Sequence, residues 1–269
     1  MTAPAEAAAA PLVLRRRDAG VVHLTLNRPA QFNALSEEML DALQAELEAV
    51  AADATARVVV IGGAGKAFCA GHDLKQMLAD RRTAYYQQLF DRCSRLMLRI
   101  QSIPQPVIAR VHGIATAAGC QLVGMCDLAL AASDARFAVS GINVGLFCAT
   151  PAVALSRNVA RKPAFEMLVT GTFIDAQAAR ERGLVNRVVA ADRLDAEVDE
   201  LAASIAAKPA AAIAHGKAMF YRQLEMGVAA AYQLAAQTMA CNMAEDCAQE
   251  GVSAFVEKRP PRRDPSPAN

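Results

Sequence analysis

The chain has 269 residues, 54% of them hydrophobic, enough to bury a sizeable core in one large domain or one domain with an appendage. Its formal net charge is +1, so no broad field points to nucleic acid or to an anionic membrane surface. Seven cysteines without CxxC spacing and four histidines outside any HExxH or Cys/His cluster argue against a disulfide scaffold or a metal site. With no visible signal peptide and no apolar run of bilayer length, they predict reduced thiols, a cytoplasmic location and no membrane insertion.

Residues 1–11 are Ala/Pro-rich, carry one charge at Glu6 and read as a disordered tail. Leu12–Arg17 and Val21–Asn27 flank Asp18-Ala19-Gly20 and predict a hairpin, with Arg15-Arg16-Arg17 as a solvated strand end. Ser36 can cap a helix that carries Glu37 and Glu38 in its first turn. Leu40, Leu43, Leu47 and Val50 continue that helix at helical spacing to about Ala54. Arg57–Ile61 is a further strand, ended by Gly62–Gly65. In Ala67–Leu74 the apolar start and Gly71 read as a strand turning sharply into a short helix, offering backbone N–H groups to a ligand. A helix follows from Thr83 to Ser102.

The stretch Pro106–Ala131 organises the rest. Pro106–Val111 is a β-branched apolar run and predicts a buried strand, which His112-Gly113 breaks. Ala117-Ala118-Gly119 opens an apolar segment of helical length ending near Asp127, where another strand begins and where Asp127 caps or pairs structurally. Small residues at a helix start let a ligand approach N–H groups that lack an intrahelical partner, at the positive end of the helix dipole. That is the chemistry of an oxyanion hole. The same small residues would equally serve close helix–sheet packing, and the stretch by itself leaves both open.

Beyond it, Ala135–Val139 is a short strand and Ser140–Gly145 a loop, and Pro151 fits the first turn of a helix. Arg161–Thr170 and Asp175–Arg182 are helices stopped by Gly171 and Gly183, and Val185–Val189 is the last strand. From Arg193 onward only helices are predicted. This change puts a boundary near residue 205, between a core of residues 12–205 and a helical region of residues 206–269 with a frayed Pro-rich end from Pro260.

Several motifs in order resemble the crotonase (enoyl-CoA hydratase/isomerase) superfamily. They are Asn27-Arg28-Pro29 before Asn33-Ala34-Leu35, Ala67-Phe68-Cys69-Ala70-Gly71-x-Asp73-Leu74, Ile108-Ala109-x-Val111-x-Gly113 with Ala117–Gly119, and Cys126-Asp127-Leu128. Thr170-Gly171 before Ala176-Gln177-Ala178, Gly183-Leu184-Val185 and Phe255–Arg259 complete the set. Thr116–Gln121 with Gly141–Cys148 resembles one subgroup of the family. The resemblance implies an α/β fold, a crotonase/ClpP-like spiral of ββα units with a C-terminal all-helical region, assembled as a homotrimer or dimer of trimers. It implies an acyl-CoA or enoyl-CoA thioester as substrate, with no separate cofactor, polarised by two backbone N–H groups that stabilise an enolate. Those donors fall at His72 and Ala118, the latter where the family usually has glycine. By the same resemblance Ala70, Asp73, Leu74 and Lys75 line the CoA cleft, as does the backbone of Ala30, Gln31 and Phe32. Phe255 and Lys258 match positions that reach the adenine and phosphate end, often from a neighbouring subunit.

The departures concern proton transfer. Hydratases of this family place glutamates where Gln121 and Gly141 stand here, and dienoyl-CoA isomerases use a carboxylate where Ala149 stands. Thr116, Gln121, Ser140, Asn143, Cys148 and Thr150 are the polar groups left nearby. Cys148 reads first as a small buried thiol, and His72 as a backbone donor only. The sequence therefore implies a hydratase-like family member with substituted acid/base groups. Another acyl-CoA enzyme, such as a thioesterase or decarboxylase, and a non-catalytic acyl-CoA binding protein are the alternatives.

Overall fold

The computed structural model describes residues 10–262; most of the expected N-terminal tail and of the expected frayed end lies outside the described residues. In chain order the elements are β1 (Val13–Asp18), β2 (Val21–Leu26), α1 (Glu37–Ala52), β3 (Val58–Gly63), α2 (Leu74–Ala79), α3 (Thr83–Ser102), β4 (Val107–Val111), β5 (Ile114–Thr116), α4 (Ala118–Met125), β6 (Leu128–Ala132) and β7 (Arg136–Ala138). Then come a 3-10 helix at Ser140–Val144, α5 (Ala149–Asn158), α6 (Arg161–Thr170), β8 (Ile174–Asp175), α7 (Ala176–Glu181), β9 (Arg187–Val189), α8 (Leu194–Ala206), α9 (Ala210–Leu224), α10 (Val228–Met243) and α11 (Asp246–Val256).

One sheet has the order β1-β2-β3-β4-β6-β9, antiparallel only at the β1–β2 hairpin. β3 reads as an unbroken apolar run because both its faces are covered. Val59 and Ile61 join the cluster that holds Leu40, Leu43 and Leu47 of α1 and Leu96 of α3. Val58 and Val60 pack with Leu194, Val198 and Ala202 of α8. Each fully buried leucine of α1 contributes about 1.5–3 kcal/mol. Ser36 caps α1 as its type predicts, its Oγ accepting from the Met39 N–H at 3.3 Å. At the exposed end of the hairpin, Arg15 and Arg17 pair with Glu46 (3.3 Å) and Asp53 (2.9 Å).

A second, smaller sheet, β5-β7-β8, stands beside the first. β5 is absent from the sequence reading because three residues carry no periodicity; its partner β7 creates it, Ala115 opposite Phe137. Ala67–Cys69, expected as a strand, makes only an isolated bridge, Cys69 to Ala115. Ser140–Val144, expected as a loop, is a 3-10 helix ended by Gly145 at φ 80°. The expected strand Val185–Val189 begins only at Arg187, because the Asn186 side chain accepts from the Ala129 N–H (2.8 Å) in place of a ladder bond.

Asp127 plays the structural part expected of it. Its carboxylate accepts from the Val107 N–H (2.6 Å), Lys217 Nζ (2.6 Å) and the Tyr221 hydroxyl (2.7 Å). Lys217 also donates to the Ile100 and Gln105 carbonyls, both at 2.9 Å, so α9 is tied to the core by a fully satisfied ammonium. Apart from this tie α9 and α10 bury no residue fully, and Phe220, Leu224, Val228, Tyr232 and Met239 lie exposed.

Candidate active site

Two turns meet beside the smaller sheet. The first is Cys69–His72. The Cys69 N–H donates to the Ile114 carbonyl (3.1 Å), and its own carbonyl accepts from the Thr116 N–H (3.0 Å), which stitches the turn to β5. Gly71 has φ +90°, and a Cβ there would stand 2.9 Å from Ala117 Cβ and 3.1 Å from the Ala118 nitrogen. Only glycine allows this approach. The second turn joins β5 to α4. Ala117 occupies φ 51°, ψ −121°, a conformation that favours glycine and costs an alanine about 1–3 kcal/mol. At Gly119 a Cβ would lie 2.1 Å from the Cys69 carbonyl oxygen. The two readings of these small residues are thus divided between positions: Gly119 serves close packing, while Ala117 and Ala118 border open space.

The N–H of Ala118, the first residue of α4, has no intrahelical partner. At His72 the bridge to Leu35 uses the flanking groups, with the Leu35 N–H donating to the Gly71 carbonyl (2.7 Å) and the Asp73 N–H to the Leu35 carbonyl (3.3 Å). Among the described residues neither the His72 nor the Ala118 N–H donates a hydrogen bond. Both residues border a cavity of about 430 Å³. Its walls are largely apolar, built from Leu74 and Met77 of α2, Phe90 of α3, and Val144, Leu146 and Phe147 between β7 and α5. No Asp, Glu, Lys or Arg lines it among the described residues. In the sequence Met77 and Phe90 are indistinguishable from any apolar helix face, so only the packing of α2 and α3 reveals them as cavity wall.

The His72 imidazole stacks edge-on against Phe90, ring centroids 5.5 Å apart. Burial lowers its pKa to about 4, against a weaker opposing pull from the Leu35 carbonyl, so the ring is neutral at pH 7. Neither ring nitrogen has a hydrogen-bond partner among the described residues, and both are shielded from solvent. Asp73 does not line the cavity. It caps α2 through the Lys75 and Gln76 amides and pairs with Arg28 at 3.1 Å. Burial would raise its pKa, but the Arg28 guanidinium and the Gln76 and Lys75 amides outweigh it and hold the carboxyl below its usual range. Lys75 is exposed one residue beyond Leu74, outside the lining. Ala30 and Gln31 lie in an exposed 3-10 turn (Pro29–Gln31) that Phe32 caps, and the Phe32 carbonyl accepts from the Ala70 N–H at 3.0 Å. Phe255, in α11, is 84% exposed, and neither it nor Lys258 lines the cavity within one chain.

The positions that the resemblance ties to proton transfer are equally definite. Gln121 is buried in α4 outside the lining, with Oε1 unpartnered among the described residues. At Gly141 a Cβ would stand 2.5 Å from the Leu146 carbonyl oxygen and 2.8 Å from Cys148 Sγ, because the 3-10 helix folds back through a Leu146 N–H to Gly141 carbonyl bond of 3.0 Å. On this backbone the position has no room for any side chain. Ala149 lines the cavity as the first residue of α5. Asn143 donates to the Gly171 carbonyl at 3.4 Å. Burial pushes the Cys148 thiol up, despite a hydrogen bond from the Gly141 backbone, which favours the inert thiol over a thiolate. Thr116 Oγ1 and Ser140 Oγ lie 2.8 Å apart.

Residues 16–264 match the enoyl-CoA hydratase/isomerase family. The chain is 43% identical over 251 residues to the mitochondrial enoyl-CoA hydratase domain-containing protein 3 of Xenopus laevis, covering 93% of this chain and 85% of that protein. Among solved structures, an enoyl-CoA hydratase from Mycobacterium smegmatis superposes with a TM-score of 0.93 at 63% identity, covering 94% of this chain and 99% of that one. Human enoyl coenzyme A hydratase domain-containing protein 3 does so with a TM-score of 0.91 at 42% identity, covering 94% and 100%. The subgroup resemblance carried by Thr116–Gln121 and Gly141–Cys148 points to that same protein. One expectation is corrected: the cytoplasmic location conflicts with the mitochondrial name of the Xenopus relative. The scattered cysteines on which that expectation partly rested do not tell one reducing compartment from another. The α/β spiral, the paired turns and the sequence likeness over nearly the whole length agree: this chain belongs to the enoyl-CoA hydratase/isomerase family and has the crotonase fold.

Proposed function

We propose that the chain binds an acyl-CoA thioester in the 430 Å³ cavity and polarises its carbonyl with the N–H groups of His72 and Ala118. The observation that carries this reading is the pair of backbone donors left without acceptors on two interlocked turns. Such preorganised donors stabilise the oxyanion of an enolate without moving. The apolar walls suit an acyl chain. A homotrimer or dimer of trimers would cover the bare faces of α9 and α10 and bring Phe255 and Lys258 to a neighbour's CoA. The test is calorimetric titration with butyryl-CoA. Ala118→Val keeps the fold's backbone but sets two methyl groups beside the donor N–H. It should weaken binding about tenfold, in line with overpacking that costs about 1–3 kcal/mol, while Ser133→Ala, away from the cavity, should not. Undiminished affinity in a folded Ala118→Val protein would overturn the placement.

The hydratase-type relatives support an enzyme of the same class, with crotonyl-CoA as the first substrate to try. A second reading is favoured by one observation, the absence of any carboxylate from the lining among the described residues. It makes the site a thioester binder and polariser whose chemistry is thioester cleavage or decarboxylation, or which performs none. A turnover panel separates these outcomes by double-bond loss, CoA release, CO2 release, or binding without reaction.

A further inference from the structure

Ala117 keeps a methyl group at φ 51°, ψ −121°, where glycine would sit without strain. Strain of this kind clusters at binding sites, where the surrounding structure enforces it. Ala117 is half-buried and lines the cavity. A Cβ on Gly71 would stand 2.9 Å from Ala117 Cβ and 3.1 Å from the Ala118 nitrogen, so the Ala117 methyl faces Gly71 at the junction of the two turns. Gly71 directly precedes the His72 donor, and Ala117 directly precedes the Ala118 donor. The methyl therefore stands between the two N–H groups, and a carbonyl oxygen that accepts from both sits over it. C2 of the acyl group is one bond from that carbonyl. In an unbranched chain C2 can point C3 away from the junction and turn only hydrogens toward it. Two carbons on C2 cannot both take that direction.

We propose that the Ala117 methyl selects acyl thioesters that are unbranched at C2, so that the site rejects 2-methylacyl groups. The obstacle is local. The Ala117 methyl has no rotamer to change and is held by its own backbone, whereas a branch at C3 meets adaptable side chains such as Leu74 and Met77. This assignment deepens the thioester reading above and rests on it.

The experiment measures the affinities of butyryl-CoA, 2-methylbutyryl-CoA and 3-methylbutyryl-CoA by calorimetry, for the full chain and for Ala117→Gly, Ala117→Ser and Ser133→Ala. The wild type should bind the 2-methyl ligand about tenfold or more weakly than the straight one, the worth of one carbon set against a packed wall. It should bind the 3-methyl ligand nearly as well as the straight one. Ala117→Gly should shrink the 2-methyl penalty about 3–10-fold and leave the 3-methyl comparison where it was. Ala117→Ser, larger by one atom, should deepen the penalty, and Ser133→Ala should move neither comparison. Equal binding of the 2-methyl and straight ligands by the wild type, or equal rejection of both branched ligands, overturns the assignment. So does a 2-methyl penalty that Ala117→Gly leaves unchanged, even if that variant binds all three ligands more weakly, as a purely structural role would produce. If the wild type binds none of the three, the thioester reading itself fails and takes this assignment with it.

Discussion

The cavity has two walls that present different kinds of group. On one, His72 and Ala118 offer backbone N–H groups, and the side chains around them serve only to let two turns touch. On the other, Gly141 and Ala149 line the cavity without a carboxylate, at positions where the resemblance implies one, and Gln121 lies buried outside the lining. The contrast shows how differently the two kinds of group tolerate sequence change. A main-chain donor persists through any substitution that preserves the approach, as the alanine at position 118 does. A carboxylate depends on one side chain, and at Gly141 the Leu146 carbonyl and the Cys148 thiol leave room for none.

The comparison can be broken most decisively by catalysis. Each positioned acid or base typically contributes about 10²–10⁴-fold, so crotonyl-CoA hydration should run on the order of 10⁴-fold or more below an enzyme with both glutamates. Loss of enoyl absorbance measures it, and turnover near that of ordinary hydratases would show that another group has taken over. Gln121→Glu alone should restore little. Gly141→Glu should add nothing unless the 3-10 helix opens, since even its Cβ meets the Leu146 carbonyl at 2.5 Å.

Next in size is the packing that holds the donor wall. Gly119→Ala puts a methyl 2.1 Å from the Cys69 carbonyl and should cost about 3 kcal/mol in urea unfolding, with loss of thioester binding. Gly216→Ala, in α9 with nothing within 4 Å, should instead stabilise by about 0.5–1 kcal/mol. Similar outcomes for the two variants would deny the donor wall its special geometry.

A smaller effect tests the one titratable side chain on that wall. Burial depresses the His72 pKa from 6.5 to about 4, so between these values the unfolded chain binds more protons than the folded one. Stability from this group is full above pH 6.5 and drains as pH falls toward 4. By linkage the loss is about 2 kcal/mol at pH 5. Urea melts across this range, wild type beside His72→Phe, should show the loss only in the wild type; parallel curves would mean the ring is not buried neutral. Smallest is Ala117→Gly, which should gain about 1 kcal/mol by relieving the φ of 51°. A loss of stability there would mean the turn is not strained.

Much of the site is legible in the sequence because its signals are local. Gly71 and Ala117–Gly119 mark turns by composition, and Ser36 and Gly171 mark helix ends by capping chemistry. Less legible is everything that depends on a partner distant in the chain. β5 exists through β7, the Met77 and Phe90 walls exist because α2 and α3 border one cavity, and the Thr116–Ser140 contact follows from strand register. Asp73 shows the limit of matching residues to a family pattern. It sits where the cleft is expected, yet its carboxylate is spent on the α2 cap and on Arg28.

By itself, then, the sequence determined the likeness to the family, most of the succession of strands and helices, and the two small-residue turns. The elements and turns follow from residue type and short-range spacing, which local sterics and hydrogen bonding translate directly into backbone, and the family likeness follows from the order of several short motifs along the chain. Only the tertiary structure decided that the two turns touch, that Gly119 serves packing while Ala118 borders the cavity, and that Gly141 has no room for a side chain. Those are questions of distance between segments far apart in the chain, and close packing answers them at the scale of a single methyl group.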